Sequence, residues 1–309
     1  MKLSIALAAA ALLASSAAAA GPELPVPAGV AGEFVTVPLD DPAVDGYSLR
    51  LPDGYDPSRT YPLLLSLHSS GQVGGPVEEA LCHGPPSVIR RLPETCPESL
   101  RRKFILVSPH LTEGPYEERQ WFDRLELLDD ILAEVCRGCR VDPARIYLAG
   151  YSTGGTGTWG YASRRPGQFA AVIPIAGYTR PEQGIRKPIV EDWSVFRDLP
   201  VWTFYNASDR VVGFSHGRTA VAAIEALDGK PFLVLNHVYS GPDPYRGSIL
   251  IDTTAEEVAG KRRILSVYRI GIHSEGRIWD NPVLYEWLLG HSNPDYRVGR
   301  LAGLIGQGP

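Results

Sequence analysis

The chain has 309 residues, and its 30 basic and 35 acidic side chains give a formal net charge of −5. No block of Lys or Arg interrupts this mild acidity, so neither nucleic acid nor an anionic membrane is an expected partner. The length allows one large hydrophobic core, and the sequence contains no internal repeat and no Ser/Thr- or Pro-rich linker between domains.

The first twenty residues have the pattern of an export signal. Lys2 supplies the positive start, an apolar run extends from Leu3 to Leu13, and Ala18-Ala19-Ala20 form a small-residue cleavage site. The apolar run is too short to span a bilayer. We therefore expect residues 1–20 to be a signal peptide and residues 21–309 to be secreted or periplasmic.

Apolar strand-like runs alternate with amphipathic helix-like runs along the rest of the chain. The predicted strands are residues 61–67, 104–108, 145–149, 170–175, 199–205 and 264–268, and the predicted helices are residues 121–137, 217–228 and 282–290. This alternation is typical of an α/β fold with a mostly parallel central sheet flanked by helices. We expect a single catalytic domain over 21–309, with its core at about 45–290.

An insertion at about residues 231–262 interrupts this pattern. It contains two further strand-like runs, Phe232 to Tyr239 and Ser248 to Thr253, which a Gly/Pro-rich turn separates. Long insertions in ordered domains are often functional lids or binding loops. The two interpretations left open are a segment that shapes the substrate site and an edge hairpin that does not touch it.

Four cysteines fit an oxidising compartment. Cys136 and Cys139 form a C-x-x-C pair, and Cys82 and Cys96 flank a Pro-rich loop, so neighbouring pairs predict two structural disulfides. A redox dithiol or half a zinc site is the alternative for C-x-x-C, although no second C-x-x-C or His pair supports zinc. No metal or organic cofactor is expected.

The G-x-S-x-G sequence around Ser152 is the main indication of chemistry. It directly follows the apolar run 145–149 and precedes a stretch rich in small residues. A strand that turns sharply into a helix would expose the Ser152 hydroxyl as a nucleophile that attacks an acyl carbon. A second copy surrounds Ser215, but it follows a polar stretch, and Ser215 is interpreted as the N-cap of the helix over 217–228.

A serine nucleophile needs a base and an acid that orients the base. In the order Ser, acid, His, we predict Asp209, just past the strand 199–205, and His273, just past the strand 264–268, because parallel sheets place chemistry at the carboxyl ends of their strands. The alternative for Asp209 is an Asx-turn residue ahead of Val211. The remaining candidates are His216, His237 and His291 for the base, and Asp252, Glu275 and Asp280 for the acid.

Two backbone N–H groups should bind the oxyanion that forms when an acyl carbon is attacked. We predict Thr153 for one and Ser69 or Ser70 for the other. His68 is expected to shape the loop before them by hydrogen bonding rather than to act in catalysis. Tyr151 and Trp121 are candidates for lining the substrate pocket, whereas Trp159 and Trp202 are predicted to be core residues.

The chain resembles the α/β-hydrolase superfamily in four segments. These are P-L-L-L-S-L-H-S-S-G (62–71), D-P-A-R-I-Y-L-A-G-Y-S-T-G-G-T-G-T-W (142–159), P-V-W-T-F-Y-N-A-S-D-R-V-V (200–212) and H-S-E-G-R-I-W-D-N-P-V-L-Y-E-W-L-L (273–289). More narrowly, it is similar to secreted esterases of the feruloyl-esterase and polyhydroxybutyrate-depolymerase type, and prolyl-oligopeptidase-like peptidases share the pattern. The resemblance implies the same Ser152, Asp209 and His273 triad and the same oxyanion donors.

Three departures from the family pattern affect the expected site. The 231–262 insertion enlarges the gap between Asp209 and His273. His68-Ser69 stands where the family usually has His-Gly, and Tyr205-Asn206 stands where it has His-Gly before the acid loop. We expect a secreted serine esterase that acts on a small-molecule or polymer ester. A serine peptidase with the same triad is the first alternative, and a non-catalytic binding protein on a hydrolase fold is the second.

Overall fold

The computed structural model describes residues 30–91, 93, 96–112, 120–237 and 253–306. The predicted signal peptide lies outside these residues. So do Asp252 and nearly all of the second strand-like run of the insertion, Ser248 to Thr253. None of the helices in the described ranges is both long enough and apolar enough to cross a bilayer.

Nine strands of the described chain form one sheet in the order β1-β2-β4-β3-β5-β6-β7-β9-β8. The strands are β1 (Phe34–Pro38), β2 (Val44–Arg50), β3 (Tyr61–Leu67), β4 (Ile105–Leu111), β5 (Val141–Tyr151), β6 (Ala171–Ile175), β7 (Val201–Asn206), β8 (Leu233–Asn236) and β9 (Arg263–Tyr268). β2 pairs antiparallel with both β1 and β4, and every pair from β4 to β8 along the sheet is parallel. The predicted mostly parallel α/β sheet is confirmed.

Eight α-helices of the described chain accompany the sheet. They are α1 (Gly84–Arg91), α2 (Glu98–Lys103), α3 (Leu125–Gly138), α4 (Thr153–Arg164), α5 (Ser215–Glu225), α6 (Ala255–Val258), α7 (Pro282–Leu289) and α8 (Arg300–Gly306). Every residue of β3 and β6 is buried, as expected for strands covered on both faces. Trp159 and Trp202 are fully buried in the core, as predicted.

Several predicted boundaries differ from the structure, among them the following three. β4 continues through Pro109 and His110, which were predicted to be loop, because both pair with β2 across its antiparallel edge. The helix predicted from residue 121 begins at Leu125, after a 3-10 turn over Trp121–Asp123. Ser215 was predicted to be an N-cap, but it is the first residue of α5, because Phe214 occupies the cap position.

The described part of the insertion contributes the edge of the sheet. β8 corresponds to the first predicted strand-like run and pairs in parallel with β9. The next described element after β8 is α6. A capping box between Thr254, its N-cap residue, and Glu257 stabilises the start of this helix. At this edge Val234 is 50% exposed, in keeping with its outward position.

The predicted disulfides are wrong: all four cysteines are free thiols. Cys82 is exposed beside Glu79, whereas Cys96 is buried near Arg50, so the two thiols occupy different surroundings. Cys136 lies in the last turn of α3. Cys139 ends that helix in extended backbone, and its thiol is buried near Tyr47 and Tyr55.

Candidate active site

Ser152 lies in a strained turn between β5 and α4. Its φ of 58° and ψ of −115° place a non-glycine residue in a rarely adopted conformation, at an energetic cost of about 1–3 kcal/mol. The Ser152 N–H donates to the carbonyl of Ile175 at 2.9 Å, which ties the turn to the end of β6. This conformation lifts the serine side chain out of the line of the strand, as a G-x-S-x-G turn requires.

Glycines allow the turn to be this tight. A Cβ on Gly154 would stand 2.0 Å from the carbonyl oxygen of Leu67, and a Cβ on Gly150 would stand 2.4 Å from the backbone of Gly154. The first turn of α4 is therefore in direct contact with the end of β3. This contact brings the amino end of α4 and the loop after β3 to the same place.

His273 lies between Asp209 and Ser152. Its Nδ1 is 2.7 Å from Oδ2 of Asp209, and its Nε2 is 2.9 Å from Oγ of Ser152. The Asp209 side chain is fully buried, while the His273 side chain is 18% exposed. The structure thus brings together the three predicted residues, which are 57 to 121 positions apart in the chain, in a geometry that allows proton transfer from the serine.

Asp209 uses both of its oxygens. Oδ1 accepts hydrogen bonds from the N–H groups of Val211 and Val212, at 2.8 Å and 3.1 Å, and Oδ2 faces His273. The Asx turn considered as an alternative is therefore present together with the contact to His273. The turn fixes the carboxylate, so that its second oxygen meets the imidazole.

Asn206 joins the two loops that carry Asp209 and His273. It was not among the predicted site residues. This fully buried residue ends β7, and its Nδ2 donates to the carbonyl of Ile272 at 2.6 Å. Its Oδ1 accepts from the backbone and hydroxyl of Ser208. A polar amide at the end of an apolar strand was the available signal, because such a buried group requires partners.

His68 supports the loop after β3. The carbonyl of Ser69 accepts from Nδ1 at 2.7 Å, and Nε2 accepts from the N–H of Leu111 at 3.0 Å. Burial lowers the pKa of His68 to about 3, so the ring is neutral and holds one tautomer. The predicted structural role of His68 agrees with these contacts.

Several backbone amides near Ser152 carry no hydrogen bond among the described residues, and three of them are the predicted oxyanion donors. These three belong to Thr153, at the first position of α4, and to Ser69 and Ser70 at the start of the 3-10 turn Ser70–Gln72. The first amides of a helix have no acceptor within it and carry partial positive charge. Free donors of this kind suit a developing negative charge.

The two predicted pocket residues have different surroundings. Tyr151 is 6% exposed, and its ring lies against His273 with the ring centroids 5.0 Å apart. Trp121 was expected to be a possible pocket residue, but it is fully buried, and its indole N–H donates to the carbonyl of His68. Trp121 packs against Gly157, where an added Cβ would stand 2.4 Å from Cβ of Trp121. The indole therefore lies behind the loop and does not line a pocket.

A second histidine and carboxylate pair adjoins Tyr151. Nδ1 of His83 is 2.9 Å from Oε1 of Glu275, and the His83 ring stacks on Tyr151 with the centroids 6.1 Å apart. Glu275 was a reserve candidate for the acid, but its side chain faces His83 and not His273. His83 lies in the Pro-rich connection before α1 and was not among the predicted site residues.

The other candidate residues lie elsewhere. His216 meets Glu182, His237 meets Ser266, and His291 meets the carbonyl of Trp287. The reserve acid Asp280 pairs with Arg277. Within the described ranges, no group of three or more His, Cys, Asp or Glu side chains is arranged to hold a metal ion.

No protein-family model matches the chain, and no curated protein matches it. Among solved structures, it is similar to a thermostable esterase, with a TM-score of 0.60, 22% identity, and coverage of 85% of this chain and 64% of that one. A mutant of the feruloyl esterase module from Clostridium thermocellum in complex with sinapinate matches with a TM-score of 0.53, 14% identity, and coverage of 84% and 88%. Porphyromonas gingivalis dipeptidyl peptidase 4 matches with a TM-score of 0.50, 15% identity, and coverage of 84% and 35%.

The chain thus spans less than two thirds of the length of the thermostable esterase and about a third of the length of the peptidase. Each of the three matches covers 84% or 85% of this chain. The strand order and these matches together show that the chain has the α/β-hydrolase fold.

Proposed function

We propose that this chain is a secreted serine esterase that cleaves carboxylic esters through an acyl-serine intermediate. The observation that carries the proposal is the hydrogen-bonded series from Asp209 through His273 to Ser152, with contacts of 2.7 Å and 2.9 Å. The export-signal pattern of residues 1–20 supports the proposed location.

In the first half of the reaction, His273 takes the Ser152 proton while Oγ forms a bond to the ester carbonyl carbon. The resulting oxyanion accepts hydrogen bonds from the N–H groups of Thr153 and of Ser69 or Ser70. The carbon–oxygen bond to the leaving group then breaks, and His273 gives its proton to the departing alcohol. Asp209 stabilises the imidazolium that exists between these proton transfers.

In the second half, water attacks the acyl carbon and gives a proton to His273. The bond between that carbon and Oγ of Ser152 breaks, the carboxylic acid leaves, and His273 returns the proton to Oγ. The neutral His68 would help by fixing the Ser69 carbonyl, which orients the loop that carries two of the candidate donors.

The test compares the two G-x-S-x-G serines of the chain. We expect Ser152→Ala to lower kcat for 4-nitrophenyl acetate by at least about 10⁴-fold, because the acyl group has no other nucleophile. Ser215→Ala is the matched control and should retain wild-type kcat, since Ser215 Oγ is occupied by Arg180. A fluorophosphonate probe should label the wild type and Ser215→Ala but not Ser152→Ala.

Two outcomes would contradict this function. Equal labelling of the wild type and Ser152→Ala would favour a non-catalytic binding protein. Faster turnover of a proline 4-nitroanilide than of 4-nitrophenyl acetate, in a reaction that depends on Ser152, would favour a peptidase with the same three residues.

A further inference from the structure

His83 stands beside the candidate active site without taking part in the triad. The ring of Tyr151 contacts His273 at a centroid distance of 5.0 Å and an interplanar angle of 29°. It also contacts His83, at 6.1 Å and 21°. Tyr151 directly precedes Ser152, so a single aromatic ring separates His83 from the triad.

Glu275 fixes one side of the His83 ring. Its carboxylate accepts from Nδ1 of His83 at 2.9 Å, from the N–H of Gly84 at 3.2 Å, and from the indole N–H of Trp279. The Glu275 side chain is 7% exposed, whereas the His83 side chain is 39% exposed. Nε2 of His83 has no hydrogen-bond partner among the described residues, so this nitrogen is available to a ligand.

The contact with Glu275 favours the protonated form of His83, whose Nε2–H can donate to an anion. The hydrogen bond to Glu275 raises the pKa of His83, against the opposing effect of burial. Arg91, which hydrogen-bonds to the backbone and hydroxyl of Ser87, lowers the pKa of His83 through its positive charge and is the smallest of these influences. His68 also lies within electrostatic reach but is neutral, since its pKa is about 3.

We propose that His83 binds a carboxylate at the far end of the acyl chain, so that the enzyme prefers monoesters of linear dicarboxylic acids. The proposal rests on the proposed esterase function and specifies its substrate class. Nε2–H of the imidazolium donates to the substrate carboxylate, while Nδ1–H donates to Glu275. A hydrogen bond between charged groups is stronger than a neutral one and is specific for an anion.

The experiment compares two esters with six-carbon acyl groups, 4-nitrophenyl monoadipate and 4-nitrophenyl hexanoate. They differ by a terminal carboxylate and share the leaving group, so the ratio of their kcat/KM values reports recognition of the carboxylate. At about pH 6, below the ordinary histidine pKa of about 6.5, we expect His83→Gln to lower this ratio about ten-fold or more. Most of the change should lie in KM for the monoadipate.

Arg102→Gln is the control for a general loss of positive charge, because Arg102 is exposed on α2 and its ion pair among the described residues is with Glu98. Its ratio should equal that of the wild type. Since His83→Gln leaves the buried Glu275 without its charged partner, the double variant His83→Gln/Glu275→Gln provides a second measurement that removes both charges. It should show the same lowered ratio.

An unchanged ratio in both His83 variants, with hexanoate hydrolysis that still depends on Ser152, would overturn the role of His83 and leave the esterase function intact. Absence of Ser152-dependent hydrolysis of either ester would overturn the esterase function itself. A lowered ratio in Arg102→Gln equal to that in His83→Gln would also overturn the proposal, because net charge would then be sufficient.

Discussion

Two imidazole and carboxylate pairs adjoin Tyr151, and they differ in what their Nε2 atoms meet. In each pair, Nδ1 of a histidine meets a carboxylate, at 2.7 Å for Asp209 and 2.9 Å for Glu275. Nε2 of His273 meets the hydroxyl of Ser152, whereas Nε2 of His83 has no partner among the described residues.

The two histidines have different Nε2 partners because the backbone beside each Nε2 differs, and not because the two histidine–carboxylate contacts differ. The strained turn at Ser152 places a hydroxyl within reach of His273, whereas no hydroxyl of the described residues meets Nε2 of His83. A carboxylate that orients a histidine therefore supplies a base only where another element presents a proton to it. The same pair beside an open surface is suited to binding.

Removing the charge of each carboxylate in turn should give the largest difference in kcat between the two pairs. We expect Asp209→Asn to lower kcat for a neutral ester by about 10⁴-fold, because the amide favours the wrong tautomer of His273. Glu275→Gln should lower it less than about ten-fold, since Glu275 does not contact His273. Steady-state kinetics with 4-nitrophenyl hexanoate measures both.

Asparagine can still accept from the N–H groups of Val211 and Val212, so Asp209→Asn should keep its fold. Asp192→Asn is the matched control, because Asp192 also accepts from a backbone N–H, that of Ser194, at the surface. Its kcat should equal the wild-type value. Equal losses in Asp209→Asn and Glu275→Gln would mean that both pairs serve the same proton transfer.

Displacing the turn at Ser152 should affect one pair and spare the other. We expect Gly154→Ala to destabilise the fold by about 3 kcal/mol or more, because its Cβ meets the backbone oxygen of Leu67 at 2.0 Å and neither backbone can yield easily. Any folded fraction should hydrolyse esters poorly, because Ser152 moves relative to His273. Urea unfolding and ester hydrolysis measure the two effects.

Gly303→Ala is the control for the same substitution in a helix. Gly303 lies in α8 with nothing within 4 Å of an added Cβ, so alanine there should stabilise the fold by about 0.5–1 kcal/mol. A Gly154→Ala protein as stable and as active as Gly303→Ala would contradict the close contact between α4 and β3.

The sequence was sufficient for the part of the site that depends on strands and their ends. Continuous apolar runs predicted β3, β6 and β7 as buried strands. Because parallel strands end at the same edge of a sheet, Asp209 and His273 were expected, and are found, at one edge. Ser152 was predicted because its turn depends on neighbouring small residues, which are visible in the sequence.

The other features of the site depend on contacts between segments whose sequences show no helical or strand periodicity. His83 and Glu275 are 192 residues apart, and neither follows a strand end in a way that predicts their meeting. Burial of Trp121 depends on the space left by Gly157 of α4, which no local pattern reveals. The positions of the Cys82 and Cys96 thiols likewise depend on the path of the connection between them and not on their spacing.

His68 is a histidine that meets no carboxylate in the described part of the chain. Its folded-state pKa of about 3 lies below the unfolded value of about 6.5, so the unfolded chain takes up a proton first as the pH falls. The stabilising contribution is complete above about pH 6.5 and is lost as the pH falls towards 3, by up to about 1.4 kcal/mol per pH unit.

His68→Gln should reduce the pH dependence by that amount, because glutamine does not titrate and can both donate and accept a hydrogen bond. Urea unfolding of the wild type and the variant at several pH values between 7 and 5 measures the two slopes. Identical slopes would mean that the His68 ring becomes protonated without unfolding.

Tyr151 joins the two histidine pairs, and its loss should have the smallest effect. Tyr151→Leu retains apolar volume but removes the aromatic face that contacts both His273 and His83, and each such contact contributes about 0.5–1.5 kcal/mol. We expect kcat/KM for a neutral ester to fall about two- to ten-fold, because His273 loses one of the surfaces that hold its ring. Tyr296→Leu changes a tyrosine outside this stack and should leave kcat/KM unchanged. If Tyr151→Leu also has the wild-type kcat/KM, Asp209 and the loop around His273 are sufficient to fix the imidazole.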